Sequence, residues 1–196
     1  MEKKVLVVGG GVNGLSTGIC LLEDGWNVKI FSSEFSPNTT SDVAAALWYP
    51  FLSAPLEKTN VWGSRTYDVL KLLTADKSTG IEMTQTYEYF RTPQPDPSWM
   101  STVDNFERIT QDLPSDYVEC FSFTTQIIEM PIYLKWLMDR FQKLGGLVKK
   151  IKVDDFSKLP SDYDIIVNCT GLNSGKLFSD PDVYPGSKSN IDLESD

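Results

Sequence analysis

The amino-acid sequence predicts an α/β fold that begins with a strand–turn–helix–strand unit. Lys4–Val8 is a short apolar run rich in β-branched residues, which is typical of a strand buried in a parallel sheet. A glycine-rich turn follows directly. Residues 13–24 then carry leucine and isoleucine at helical spacing, and Gly25 is placed to end that helix. Residues 27–31 complete the unit as its second strand.

The rest of the chain continues this mixed pattern. Residues 37–50 gather hydroxyl and aspartate side chains before a run of small residues, which resembles the N-terminus of a helix. Residues 130–144 form the clearest later helix, because Pro131 suits its first turn and its apolar residues share one stripe. The other predicted elements are a helix over 61–73, strands over 81–91, 121–129, 147–153 and 164–168, a proline-rich loop over 94–99, and a short helix with a loop up to 117.

Composition and charge exclude several classes of function. The chain has 196 residues and no histidine, so it cannot supply Ser-His-Asp or Cys-His catalysis, and we expect no metal site. Its net charge of -9 repels nucleic acid and anionic membrane surfaces. No apolar run is long enough to span a bilayer, and no signal peptide is evident. Three widely separated cysteines indicate a reducing, intracellular compartment.

The glycine turn predicts a dinucleotide site. Gly9 allows a sharp turn, Gly11 lets the backbone approach a diphosphate, and Gly14 permits close packing of helix on strand. Free N–H groups and the positive dipole end at the helix start favour the diphosphate. The expected contacts come from the whole turn, which consists of Gly9, Gly10, Gly11, Val12, Asn13 and Gly14. The turn alone does not choose between NAD and FAD.

Two further signals concern the same ligand. An acidic residue after the second strand commonly holds the ribose hydroxyls, and the candidates here are Glu34 and the hydroxyl of Ser33. No arginine follows that strand, which disfavours the 2′-phosphate of NADP. Thr170 and Gly171 end a downstream strand that we expect beside the first one, where its backbone can close over a cofactor.

Five segments carry a family pattern in a fixed order and spacing. They are residues 7–17, 39–50, 123–125, 133–137 and 167–172. The segment 39–50 reads Thr-Thr-Ser-Asp-Val-Ala-Ala-Ala-Leu-Trp-Tyr-Pro and is the most specific of them. Together they resemble the D-amino acid oxidase and D-aspartate oxidase family, from the N-terminus to about Gly186.

This resemblance implies FAD held by a Rossmann-type FAD-binding domain. The glycine turn would face the pyrophosphate. The other implied contacts are Ser33 and Glu34 for the ribose, Thr39, Thr40 and Ser41 for the diphosphate and ribitol, Ala45, Ala46 and Leu47 along the isoalloxazine ring, Val153 on the adenine side, and Thr170 closing over the cofactor. The residue types agree, because hydroxyls suit phosphate oxygens and small side chains let a flat ring approach the backbone. A packed helix start is the alternative for residues 44–46.

The resemblance also implies how the chain is divided. Residues 1–186 would form the FAD-dependent oxidoreductase region. Its FAD-binding parts would cover about 1–55 and 147–186, and part of an interleaved α+β substrate domain would cover about 56–146. Residues 187–196 lack a core-forming pattern and are expected to be an irregular tail.

The implied activity is the oxidative deamination of D-amino acids. In the family, the substrate Cα–H passes as hydride to the flavin, the imine hydrolyses to a 2-oxo acid, and oxygen is reduced to hydrogen peroxide. The implied partners are a D-amino acid and oxygen, and the implied location is cytoplasmic, or peroxisomal by family habit. Two alternatives stay open, a non-catalytic flavin-binding module and an NAD-linked dehydrogenase.

Some positions depart from the family pattern. Ser33 stands where the family usually has aspartate, and Ala46 where it has glycine. After Gly186 the family continues with an Arg-Gly-Gln turn, whereas Ser187 follows here. The family's substrate-clamping arginine lies in that later part. We therefore expect a truncated or alternatively spliced form with weak FAD affinity and little turnover.

Overall fold

The computed structural model describes residues 3–44, 46–50 and 53–185. They fall into two compact units, the first drawn from Met1–Asp42 with Leu137–Asp196 and the second from Val43–Trp136. In chain order the strands are β1 (Lys4–Val8), β2 (Asn27–Ser32), β3 (Ala46–Leu47), β4 (Ile81–Phe90), β5 (Asp104–Ile109), β6 (Glu119–Ile128), β7 (Leu147–Lys150) and β8 (Ile165–Asn168). The α-helices are α1 (Val12–Glu23), α2 (Leu56–Leu73), α3 (Met130–Lys143) and α4 (Asn173–Phe178).

The first unit is built on a parallel sheet. Its four strands are paired in the order β7-β2-β1-β8, and every pair is parallel. The side chains of Val5, Leu6 and Val7 are fully buried, as the continuous apolar run predicted for a central strand. Helix α1 packs closely because Gly18 has no side chain; a Cβ there would lie 2.7 Å from the ring of Phe141. The predicted α/β fold is therefore confirmed.

The second unit is built on an antiparallel sheet. Strand β6 pairs with β3, β4 and β5, and all three pairings are antiparallel. Its core is aromatic, with Tyr67 and Phe123 buried and Trp48 packed edge-on against Tyr67 at 5.0 Å between ring centroids. The carbonyl of Thr124 accepts a hydrogen bond from the Tyr67 hydroxyl at 3.1 Å, which ties α2 to β6.

Residues 37–50 do not begin an α-helix, and that prediction was wrong. They contain one 3-10 turn, Thr40–Val43, before β3. The Asp42 carboxylate accepts hydrogen bonds from the Thr39 N–H and hydroxyl at 2.8 and 2.6 Å, and from the Ser36 hydroxyl at 2.5 Å. Local bonds of this kind offer the backbone an alternative to the helix. The strand that follows is held by β6, a partner too far along the chain for a local pattern to show.

The helix predicted before residue 117 was also wrong, because this stretch forms β5. Its pairing partner β6 places Arg108 opposite Phe121. Arg108 forms an ion pair with the buried carboxylate of Glu119 and lies over the Phe121 ring, 4.8 Å from its centroid. These contacts come from residues distant in sequence, so they override the local pattern.

Several observed element boundaries differ from the predicted ones, and some predictions concern residues outside the described ranges. Helix α2 begins at Leu56 rather than at residue 61, and β7 ends at Lys150 rather than at 153. Ala45 and the predicted tail 187–196 lie outside the described residues. Among the described residues, no helix has the length and apolar character required to cross a bilayer.

Candidate cofactor-binding site

A cleft of about 640 Å³ opens in the first unit at the carboxyl ends of its parallel strands. Segments leaving all four strands line it, beginning at Val8, Ser32, Ile151 and Cys169. Ligands of open α/β sheets bind at this edge, where the strands end and the chain turns into helices or loops. Its volume is within the roughly 300–1,000 Å³ typical of small-molecule and cofactor sites.

The cleft brings together predicted residues from separate parts of the chain. Those that line it are Gly9, Gly10, Gly11, Val12, Asn13, Ser33, Glu34, Thr39, Thr40, Ser41, Val153 and Thr170. Gly14 is buried in α1 beneath the turn. Ala46 and Leu47 belong to the second unit, where they form β3.

The glycine turn is held by backbone contacts that leave no room for side chains. Gly9 has a φ of 120°, and its N–H donates to the Phe31 carbonyl at 2.8 Å. A Cβ on Gly9 would lie 2.1 Å from the carbonyl oxygen of Cys169. A Cβ on Gly14 would lie 1.9 Å from the carbonyl oxygen of Gly9. The turn is thus tightly packed between the ends of β1 and β8 and the start of α1, and its backbone faces the cleft.

A hydroxyl-bearing loop meets the start of α1. The Ser41 Oγ accepts a hydrogen bond from the Val12 N–H at 3.1 Å. A Cβ on Gly11 would lie 2.8 Å from that same oxygen, so the missing side chain of Gly11 makes room for Ser41. The Ser41 hydroxyl therefore lies at the positive end of the helix dipole, where a phosphate is favoured.

Asp42 holds this loop in place through its bonds to Ser36 and Thr39. Burial acts to raise the pKa of Asp42, but the hydrogen bonds from the Ser36 hydroxyl and from Thr39 outweigh it and lower the pKa. Asp42 is therefore charged at neutral pH. Sequence reasoning did not assign it a role, although its place after three hydroxyl residues was a usable signal.

The predicted ribose end of the cleft contains Glu34. Its carboxylate accepts a hydrogen bond from the Lys150 Nζ at 2.7 Å, and its side chain remains 45% exposed. Ser33 is exposed beside it. Both residues line the cleft, so the choice between them for the ribose contact stays open.

Two lysines and two serines of the site were missed from the sequence. Lys152 and Lys176 line the cleft, and their charges suit an anionic ligand. Ser174 supports the far wall, because its hydroxyl is 3.0 Å from the Thr170 Oγ1. Ser32 supports the glycine turn from below by accepting the Gly10 N–H at 3.0 Å. None of the four stands in a recognisable sequence motif, and only the fold brings them to the cleft.

The residues present fit a dinucleotide. A turn whose glycines admit no Cβ provides a backbone cradle, and the hydroxyls of Thr40 and Ser41 provide donors for phosphate oxygens, whereas the Thr39 hydroxyl donates to Asp42. Val153 lies on the apolar side, packed against the core cluster of Leu6, Val8 and Phe31.

Comparison with known proteins identifies relatives of the chain. The family described as FAD dependent oxidoreductase matches residues 4–195. D-amino-acid oxidase of Dictyostelium discoideum is 38% identical over 188 residues, which cover 93% of this chain and 54% of that protein. D-amino-acid oxidase of Rubrobacter xylanophilus is 37% identical over 184 residues, covering 93% and 56%. Human D-aspartate oxidase is 34% identical over 194 residues, covering 93% and 57%. The chain therefore spans about half the length of the curated relatives it matches.

Solved structures show the same fold at low sequence identity. L-amino acid deaminase from Proteus myxofaciens has a TM-score of 0.68 at 14% identity, over 90% of this chain and 47% of that one. Glycine oxidase from Bacillus cereus has a TM-score of 0.63 at 18% identity, over 91% and 58%. At these identities the likeness concerns the fold.

Proposed function

Because the chain belongs to the FAD-dependent oxidoreductase family, whose cofactor is FAD, we propose that it acts as a D-amino acid oxidase. The observation that carries the proposal is the meeting of the glycine turn with the hydroxyl loop, through the bond from the Val12 N–H to the Ser41 Oγ. The named relatives are D-amino-acid and D-aspartate oxidases, which supports a D-amino acid and oxygen as the substrates.

In this proposal the two units have separate tasks. The first unit holds the adenosine diphosphate part of FAD, with the glycine turn and Thr39–Ser41 on the phosphates and Glu34 or Ser33 on the ribose. The second unit is part of the substrate domain. Its strand β3 carries Ala46 and Leu47, which we assign to the isoalloxazine ring together with Ala45.

When bound, FAD supplies the redox chemistry, taking a hydride from the substrate Cα and reducing oxygen to hydrogen peroxide. The protein's own contribution is binding and orientation. The N-terminus of α1 and the hydroxyl of Ser41 stabilise the diphosphate charge, and Lys176 adds positive charge along the cleft, whereas Lys152 is paired with Asp154. None of these tasks requires histidine, which the chain lacks.

A non-catalytic flavin-binding module is the second candidate, favoured by the location of the whole cleft within the first unit. By family habit we place the protein in the cytoplasm or in peroxisomes.

The test is the flavin content of purified protein. We expect a yellow protein, or a colourless one that gains flavin absorbance on titration with FAD and releases FAD on denaturation. Protein that takes up no flavin would overturn the proposal. Oxygen consumption with D-alanine and D-aspartate then separates the two candidates, because a flavin-binding module consumes oxygen with neither substrate.

A further inference from the structure

Ser32, the last residue of β2, makes two hydrogen bonds that the proposed FAD contacts do not explain. Its side chain is buried, with 8% of its surface exposed. The Oγ accepts the Gly10 N–H at 3.0 Å and donates to the Glu34 carbonyl at 2.6 Å. The hydroxyl thus connects the middle of the glycine turn to the backbone of the residue at the ribose end of the cleft.

The direction of both bonds is fixed by chemistry. A backbone N–H can only donate and a backbone carbonyl can only accept, so the Ser32 hydroxyl must take the first proton and give its own to the second. Alanine at this position would leave a buried donor and a partly buried acceptor unpaired. The Ser32 hydroxyl therefore uses both an acceptor site and its single donor in these two hydrogen bonds.

Close packing around Gly10 keeps its N–H within hydrogen-bonding distance of the Ser32 hydroxyl. A Cβ on Gly10 would lie 3.0 Å from the Ser32 Cβ and 2.5 Å from the ring of Phe35. The turn therefore rests directly on the end of β2 and on Phe35. The Gly10 N–H points to β2, where Ser32 takes it.

Glu34 is consequently held at both its backbone and its side chain. Ser32 binds the carbonyl, and Lys150 on the neighbouring strand β7 binds the carboxylate at 2.7 Å. The glycine turn and Glu34 face the same cleft. A shift of either one relative to the other would misplace the diphosphate relative to the ribose of one ligand.

We propose that Ser32 is a positioning residue for FAD, which sets the spacing between the diphosphate-binding turn and Glu34 at the ribose end of the cleft. This inference rests on the proposed function, since it assumes that the cleft holds FAD. The proposed role concerns only the adenosine diphosphate half of the cofactor. Removal of the Ser32 hydroxyl should therefore weaken the binding of FAD and of ADP by the same factor.

The experiment measures the dissociation constants of FAD and ADP for the wild type, Ser32→Ala and Ser32→Cys. The expected result is a loss of roughly tenfold for both ligands in both variants, the loss typical when a buried hydrogen-bonding link is removed. Cysteine keeps a polar atom at this position but is only a weak hydrogen-bond donor and acceptor, so Ser32→Cys tests the hydrogen bonds if the alanine variant fails to fold. Amide exchange at Gly10 should become faster in both.

The matched control is Ser122→Ala. Ser122 is also a buried strand serine, 5% exposed, and its hydroxyl accepts the Gln85 Nε2 at 2.6 Å in the second unit. It should lose thermal stability without losing affinity for ADP or FAD. Equal affinity losses in Ser122→Ala and Ser32→Ala would overturn the role of Ser32, because the effect would then be general loosening.

The outcomes separate the two proposals. A wild type that binds FAD and ADP, together with Ser32 variants that bind them equally well, would overturn the positioning role and leave the proposed function standing. A wild type that binds neither ligand would overturn both. Loss of FAD affinity with unchanged ADP affinity would also contradict the inference, because Ser32 supports only the adenosine half.

Discussion

Gly14 lies directly against Gly9, so that a Cβ on Gly14 would approach the Gly9 carbonyl oxygen to 1.9 Å. Backbone, and not a flexible side chain, occupies that space. The third glycine of the turn therefore packs helix α1 onto the first glycine and does not contact the cleft. This relationship explains how a residue outside the cleft can still control the shape of the glycine turn.

Gly14→Ala should destabilise the protein and abolish FAD binding. The added methyl group must displace the Gly9 carbonyl, and we expect a loss of about 1–3 kcal/mol or more in the free energy of unfolding, as for overpacked cores. Chemical denaturation and FAD titration measure the two effects. Normal FAD affinity in this variant would contradict the packing argument.

Gly63→Ala is the matched control for that change. Gly63 lies inside α2, and its added Cβ would meet the Trp48 ring at 3.5 Å, an ordinary contact. Because alanine favours the helix, we expect this variant to gain roughly 0.5–1 kcal/mol of stability. Replacing glycine by alanine should thus lower the stability of the protein at Gly14 and raise it at Gly63.

Ser41→Ala should weaken FAD binding more than it weakens the fold. The change removes the acceptor of the Val12 N–H and the hydroxyl proposed for the diphosphate. A lost bond to a charged group costs about 1.5–3 kcal/mol, so we expect at least a tenfold rise in the FAD dissociation constant. Thr66→Ala, which removes a hydroxyl bonded to the Trp62 carbonyl in α2, should leave FAD affinity unchanged. Fluorescence titration of both variants checks this.

Asp42 should stabilise the fold in a pH-dependent way. Its pKa is lowered in the folded protein, below the ordinary value of 3.8, by hydrogen bonds that outweigh burial. A lowered pKa contributes stability that is fully present above 3.8 and is lost as the pH falls through the folded value. The stability difference between wild type and Asp42→Asn should therefore shrink as the pH falls below 3.8. A difference that stays constant over this range would contradict the prediction.

Glu88 should show the opposite pH dependence. Its carboxylate accepts the Tyr49 hydroxyl at 2.8 Å, and burial raises its pKa above 4.5 although that hydrogen bond lowers it. A raised pKa contributes stability that is complete below 4.5 and is lost as the pH rises through the folded value. Glu88→Gln should thus gain stability relative to the wild type as the pH rises above 4.5.

Tyr49→Phe tests the cause of that behaviour. Removing the phenol takes away the hydrogen bond that lowers the pKa of Glu88, so the pKa should rise further. The wild-type loss of stability should then move to higher pH in the variant. Urea denaturation across this pH range measures both changes, and identical curves for the wild type and Tyr49→Phe would contradict the assignment.

Residues 37–50 show how a local pattern can identify chemistry and still mislead about structure. Their hydroxyls were predicted at the cofactor site, and Thr39, Thr40 and Ser41 do line the cleft. The helix predicted from the same residues is absent from 37–44 and 46–50, where Asp42 bonds back to Thr39 within a 3-10 turn and β3 follows. The residue types indicated the chemistry of the ligand, whereas the conformation of the backbone was decided by hydrogen bonds to other residues and strands.

The sequence by itself determined the strand–turn–helix–strand unit and the location of the glycine turn. Both depend on signals only a few residues long, namely apolar periodicity and the spacing of Gly9, Gly11 and Gly14. Only the tertiary structure decided that Ser32 supports the turn, that Lys150 holds Glu34, and that residues 104–109 form a strand. Each of these depends on a partner from a distant part of the chain or on the folded geometry of a loop, and no local pattern encodes such contacts.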